Sequence, residues 1–231
     1  MPIHFQCEIE KLKKSILTVG AMAELSVREA ILAIQSRDED LAQSVIEKDI
    51  QLDEMEVEVE ETCLKILALY QPVAVDLRFL IAVLKINSDL ERVGDLAVNV
   101  AERALYLATV PQVDLSFDFV TMSTKVQAML KSSLDALVNF NARVAHTVCG
   151  QDDEVDALNS DVYTLVREAI VAHPEQAEAL IHILSVSRHL ERIADHATNI
   201  AEDVIYMIEG QVVRHRVEEY RATQPATRDE S

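Results

Sequence analysis

The sequence predicts an all-α fold made of two tandem three-helix bundles related by an internal repeat. Three observations lead there: few turn-forming residues, a dominance of aliphatic residues, and a long segment that recurs in register. Only 4 Gly and 5 Pro punctuate 231 residues, while hydrophobic residues reach 49% and aromatic residues 4%. Few breakers and many aliphatics favour long helices over many short strands. A chain of this length suits one large domain or two small ones, each with a modest core.

The repeat is the strongest of the three signals. Leu90-Glu91-Arg92-Val93-Gly94-Asp95 returns one hundred residues later as Leu190-Glu191-Arg192-Ile193-Ala194-Asp195. Leu80, Leu84, Ala97, Asn99, Glu102 and Tyr106 likewise recur as Leu180, Leu184, Ala197, Asn199, Glu202 and Tyr206. Unrelated amphipathic helices share apolar positions, but they do not share Glu, Arg, Asp and Asn in register. Upstream the offset grows by three residues, so Asp49, Asp53 and Leu52 align with Asp152, Asp156 and Val155. The change falls near Pro72 and Pro174, where a helix-helix turn absorbs it.

Helices are expected over residues 5–36, 38–70 and 72–108, and again over 117–138, 141–173 and 174–209. Asp38 is a good N-cap for the second helix. Leu52, Met55, Val59 and Ile66 in it step by three, four and seven, the spacing of a bundle seam. Pro72 is tolerated in the first turn of the third helix, and Gly210 suits a C-cap for the last. A link over residues 109–116, containing Pro111, separates the copies. The units are therefore 1–110, 114–210 and a polar tail over 211–231. Long helices of about 33 residues extend about 50 Å and pack up-down-up. The third helix is apolar on nearly every side, so the copies should pack side by side through it.

A net charge of -19 repels a phosphate backbone, which makes nucleic acid and a bare anionic membrane poor partners. It suits cations or a basic protein surface, or is simply a soluble acidic surface. Residues 1–14 mix charges with apolar residues, unlike a secretion signal, and no apolar run is long enough to span a bilayer. Cys7, Cys63 and Cys149 show no CxxC spacing and read as reduced packing thiols. The expectation is a cytoplasmic chain that meets membranes only through partner proteins.

The chemistry lies in the carboxylates. Glu91 and Asp95 are one helical turn apart on one face, and Asn99 and Glu102 extend that stripe. They point the same way as Leu77, Leu80, Leu84 and Val98, while Arg78, Lys85, Arg92 and Arg103 form a basic stripe expected on the wet side. Glu191, Asp195, Asn199 and Glu202 repeat the acidic pattern. A second line, Asp49, Asp53, Glu56 and Glu60, borders the seam of the second helix; its repeat keeps Asp152 and Asp156 but has Asn159 and Tyr163. Converging carboxylates cannot all stay ionised without a counter-charge. All-oxygen ligands favour hard cations such as magnesium, calcium, manganese or iron. The bland alternative is a salt-bridged or solvated acidic face. Gly94 and Ala194 share smallness, and His189 and His196 read as surface or partner contacts rather than ligands.

These motifs resemble those of the PhoU family. Gln71-Pro72-Val73-Ala74-Val75-Asp76-Leu77-Arg78, followed by Leu90 to Glu102 and its copy Leu190 to Glu202, carries the resemblance, which covers most of the chain. It implies two three-helix bundles and multinuclear iron or zinc sites on E(D)xxxD motifs, with manganese or magnesium as other candidates. The implied metal ligands are Asp49, Asp53, Glu91 and Asp95 in one copy and Asp152, Asp156, Glu191 and Asp195 in the other. Asn99, Glu102, Asn199 and Glu202 are additional candidates. The resemblance further implies a negative regulator of phosphate-starvation signalling and of phosphate uptake. Its partners would be the ATPase subunit of the phosphate ABC transporter and the phosphate sensor histidine kinase, and a homodimer is compatible with the exposed helical faces. Two alternatives stand beside it: a metal-free helical interaction bundle and a carboxylate-bridged metalloenzyme. The residues argue against the enzyme, since Gly94 and Ala194 stand where a Glu-x-x-His motif needs histidine.

Overall fold

A computed structural model describes residues 3–113 and 118–210. Part of the expected link, the expected start of the fourth helix at Phe117, and the tail over 211–231 lie outside the described residues. Among the described residues seven α-helices form: α1 (Ile3–Ser36), α2 (Glu39–Tyr70), α3 (Ala74–Thr109), α4 (Phe119–Asn139), α5 (Ala142–Cys149), α6 (Asp152–Ala172) and α7 (Ala177–Glu209), with a 3-10 turn at Pro174–Gln176. The first bundle packs α1, α2 and α3 on one another, and the second packs α4, α5 and α6 around α7. The two bundles meet mainly along α3 and α7.

The helix ends follow local chemistry. Asp38 accepts a hydrogen bond from the Leu41 N–H, the capping role its sequence position suggests. Gly210 closes α7 with φ at 72°, a left-handed position that glycine takes without a Cβ penalty. The third helix starts later than expected, at Ala74 rather than Pro72. Gln71 caps α2 in the left-handed region, its N–H bonded to the Leu67 carbonyl, and the right-handed helix stops there because the residue before a proline is disfavoured from it. At the matching joint of the second copy, Pro174 opens a short 3-10 turn and α7 proper begins at Ala177.

The expected single helix over 141–173 is two helices. Gly150 ends α5, its N–H turned back to the Thr147 and Val148 carbonyls. Glycine is a weak helix former, and three acids, Asp152, Asp153 and Glu154, begin a new helix favourably at its positive end. The break sits immediately ahead of Asp152, so it sets the direction from which that carboxylate approaches α7.

The core is continuous across both bundles, with Leu12, Leu52, Ile66, Leu80, Leu90, Met122, Leu130 and Leu190 fully buried. A satellite cluster of Val162, Val166 and Leu180 lies at the far end of α6 and α7. The basic stripe of α3 is not wholly wet as expected. Lys85 reaches the buried carboxylate of Asp203 on α7 at 3.1 Å and lies over the Tyr206 ring. Arg78 packs against the α7 cap at Gly210. His196 and Asp89 meet at 2.8 Å, and Tyr106 stacks on His182 with centroids 3.9 Å apart. Residue numbers fall on α7 as they rise on α3, so the two helices run antiparallel.

Leu90→Ala or Leu190→Ala should each cost about 2–5 kcal/mol in urea unfolding, because a fully buried leucine leaves a cavity. Ile50→Ala, on the exposed face of α2, should change stability by no more than about 0.5 kcal/mol.

Candidate metal centre

Each copy brings an aspartate-bearing helix against the Glu/Asp face of its last helix. In the first copy α2 supplies Asp49 and Asp53, and α3 supplies Glu91 and Asp95. Gly94 permits the close approach: a methyl group there would sit 3.0 Å from Asp49 Oδ1 and 3.1 Å from Leu52 Cδ1. Burial, then the charges of Asp53 and Asp95, push the Asp49 carboxyl up to about 6. Burial and then Asp95 also raise Glu91, against the pull of Arg92. Arg92 supplies a counter-charge here, with Nη1 2.7 Å from Asp95 Oδ2 and Nε 3.2 Å from Glu91 Oε2. Asn99 donates to the backbone carbonyl of Asp95 at 2.8 Å, and Glu102 lies 3.5 Å from Arg103.

The second copy is assembled more tightly. Asp152, Asp156 and Asp195 each present an oxygen, and the three oxygens lie within 4.8 Å of one another. Asp195 keeps part of its surface in solvent. Burial of the rest, then Glu191, Asp152 and Asp156, still push its carboxyl up to about 6. Burial and then Asp156 raise Asp152, and the same two causes raise Glu191. Thr198 donates a long hydrogen bond to Asp152 at 3.4 Å. Asn199 donates instead to Asp89 across the bundle contact at 3.3 Å. Glu202 lies within electrostatic reach of Cys149, where burial first, then Glu202 and Asp152, push the thiol up to about 12. Burial likewise pushes Cys63 up to about 12, so both thiols stay protonated and inert at neutral pH.

The donor set fits a hard cation. It is all oxygen, it gathers carboxylates from two helices, and their mutual repulsion is what a bound positive charge would relieve. His189 does not join it: burial, then Arg103, Arg192 and Arg188, hold it down to about 4, and Ser185 lies 3.1 Å from its Nε2. His196 belongs to the α3–α7 contact through Asp89.

Sequence reasoning missed a buried lock beneath each site. Asn87 is almost wholly buried and donates to both the backbone and side chain of Glu56, at 2.9 Å and 3.1 Å. Ser187 and Asn159, which stand at the equivalent positions, bond at 2.7 Å. The replacement of Glu56 by Asn159 therefore accompanies a change of its partner, and Glu56 is engaged in joining helices. The signal was available: Asn87 is a polar residue on the otherwise apolar face of α3.

A carboxyl raised in the folded state binds protons that the unfolded chain has released. Between pH 3.8 and about 6 the folded chain therefore loses stability as pH rises, and the penalty is complete above that window. Asp195→Asn should raise the melting temperature of the chelator-treated protein at pH 7–8 and bring a smaller gain toward pH 4. Asp95→Asn should gain less, because Arg92 already pairs with Asp95. Thermal melts across pH measure both.

The PhoU domain family matches the chain twice, over residues 16–104 and 119–204. A phosphate-specific transport system accessory protein PhoU homolog of Pseudomonas aeruginosa is 39% identical, over 91% of this chain and 88% of its own length. One from Clostridium acetobutylicum is 36% identical, over 90% and 96%. The crystal structure of PhoU from Pseudomonas aeruginosa superposes with a TM-score of 0.85 at 36% identity, covering 90% of this chain and 100% of that one. With both halves matched by one domain, and full-length relatives agreeing in sequence and fold, the chain belongs to the PhoU family.

Proposed function

We propose that the chain is an accessory regulator of phosphate-specific transport. In this reading it represses phosphate-starvation signalling, and restrains uptake, when phosphate is plentiful. It acts as a non-enzymatic adaptor between the ATPase subunit of the phosphate ABC transporter and the sensor histidine kinase. The observation that carries the reading is the near full-length match to relatives named as phosphate-specific transport system accessory proteins. The absence, among the described residues, of any helix long and apolar enough to cross a membrane is compatible with an adaptor that reaches the bilayer through partners.

The carboxylate faces serve this reading as metal sites. Asp152, Asp156 and Asp195 would hold a cation, with Glu191 beside them, and Asp49, Asp53, Glu91 and Asp95 would form the second site. Bound metal would neutralise the like charges and tie α6 to α7, and α2 to α3. In the first copy Arg92 must swing away before Asp95 is free to ligate, so that site fills at higher metal concentration. Iron, zinc, manganese and magnesium are the candidates.

Deletion of the encoding gene should switch on phosphate-starvation reporters in phosphate-rich medium, and purified protein should bind the cytoplasmic region of the kinase. Normal repression in the deletion strain, with no second family member present, would sink the adaptor reading. For the metal, manganese titration should show a tighter site lost in Asp195→Ala and a weaker one lost in Asp95→Ala; identical isotherms for all three proteins would remove metal from the proposal.

A further inference from the structure

The outward face of α2 carries an apolar line that the fold does not use. Ile50, Val57 and Leu64 are 64%, 51% and 53% exposed. They follow one another at seven-residue steps, on the side of α2 opposite the buried Leu52, Val59 and Ile66. α2 packs on α1 and α3, leaving this side toward solvent.

The internal repeat provides a control. The positions equivalent to Ile50, Val57 and Leu64 in the second copy are Asp153, Ser160 and Arg167, all exposed. The same bundle is thus built with a polar outer face, and the apolar line was acquired or kept in one copy alone. Stability of the bundle does not explain it.

The surroundings select the occupant. Exposed acids border the line, Glu54 and Glu58 on one side and Glu60 on the other. Across its whole length α2 holds ten acidic and two basic residues. A second copy of this chain docking through the same face would set acid against acid, and an anionic lipid surface would be repelled. One apolar residue per heptad with acids between makes a narrow line, which a facing helix covers with one apolar row of its own while its cations meet the acids.

We infer that the Ile50–Val57–Leu64 face of α2 docks a basic amphipathic helix of a partner protein, its apolar residues on this line and its Lys or Arg side chains against the flanking acids. The inference rests on the adaptor reading only in taking the partner to be a protein, and it concerns neither carboxylate site.

The test uses the full chain and a three-heptad peptide of leucine, alanine and lysine, with leucine at the seam positions and lysine beside them. A scrambled peptide of the same composition is the control. The variant is Ile50→Asp/Val57→Ser/Leu64→Arg, which installs the second copy's own residues and leaves net charge unchanged. Loss of binding therefore reports the apolar line and not the acidity of α2. At about 0.15 M salt the patterned peptide should bind more tightly than the scrambled one, and the variant should lose at least about tenfold in affinity with an unaltered melting curve. Equal binding of both peptides, or unchanged affinity in the variant, would overturn the inference. So would self-association of the wild-type chain that the variant abolishes, or binding to phosphatidylserine vesicles that the variant abolishes. Phosphate repression is scored separately in cells, so failure here and failure of the adaptor reading are distinguishable.

Discussion

The antiparallel contact of α3 with α7 is what the rest of the molecule depends on. Both helices carry the repeated Glu-Arg-x-x-Asp motif, and both are buried along one side by their own bundle and along another by each other. A helix hemmed in this way has little freedom to rotate. The face that carries Glu91 and Asp95, or Glu191 and Asp195, is therefore fixed in direction toward the aspartates of its neighbouring helix. The contact is polar where it would otherwise slip: Lys85 meets Asp203, Asp89 meets His196 and Asn199, and Tyr106 stacks on His182. These pairings set one register between two helices whose apolar positions alone would allow several.

Duplication followed by divergence accounts for the differences between the halves. The bundle lock is Asn87 with Glu56 in one copy and Ser187 with Asn159 in the other, so partners changed together. Arg92 pairs directly with Glu91 and Asp95, whereas Arg192, exposed like Arg92, acts on Glu191 electrostatically. The second bundle breaks its middle helix at Gly150 and brings Asp152 and Asp156 close to Asp195. The first keeps that helix whole and carries an apolar line on its outside. One copy thus has the tighter carboxylate cluster and the other an unpaired helical face.

Much of this architecture is legible in the residues. The in-register return of Glu91, Arg92, Asp95 and Asn99 identifies the duplication, and Asp38 and Gly210 mark helix ends because their capping chemistry is local. Other features depend on neighbours distant in sequence. Gly150 reads as one tolerable glycine in a long helix until α7 and α4 are seen to pack on the short α5 beside it. Lys85 and Arg103 read as wet because a single-helix projection cannot show that a second bundle covers part of that side. Asn199 has the spacing of a ligand but turns to Asp89, a residue of the other copy. Thr198 and Asn87 were overlooked because neither belongs to the acidic pattern, although one touches Asp152 and the other anchors Glu56.

Half-buried carboxylates crowded at two places on a strongly acidic chain are costly unless something offsets their charge. In the first copy Arg92 does so in part; in the second the proposed cation would do so for Asp152, Asp156 and Asp195. The measurement that tests this most directly is an anomalous difference map from crystals grown with manganese. The account predicts a peak bounded by Asp152, Asp156 and Asp195, present at metal concentrations where the Glu91 and Asp95 face is still closed by Arg92. A map empty at both faces in saturating manganese, with the carboxylates splayed into solvent or paired to basic side chains, would contradict it.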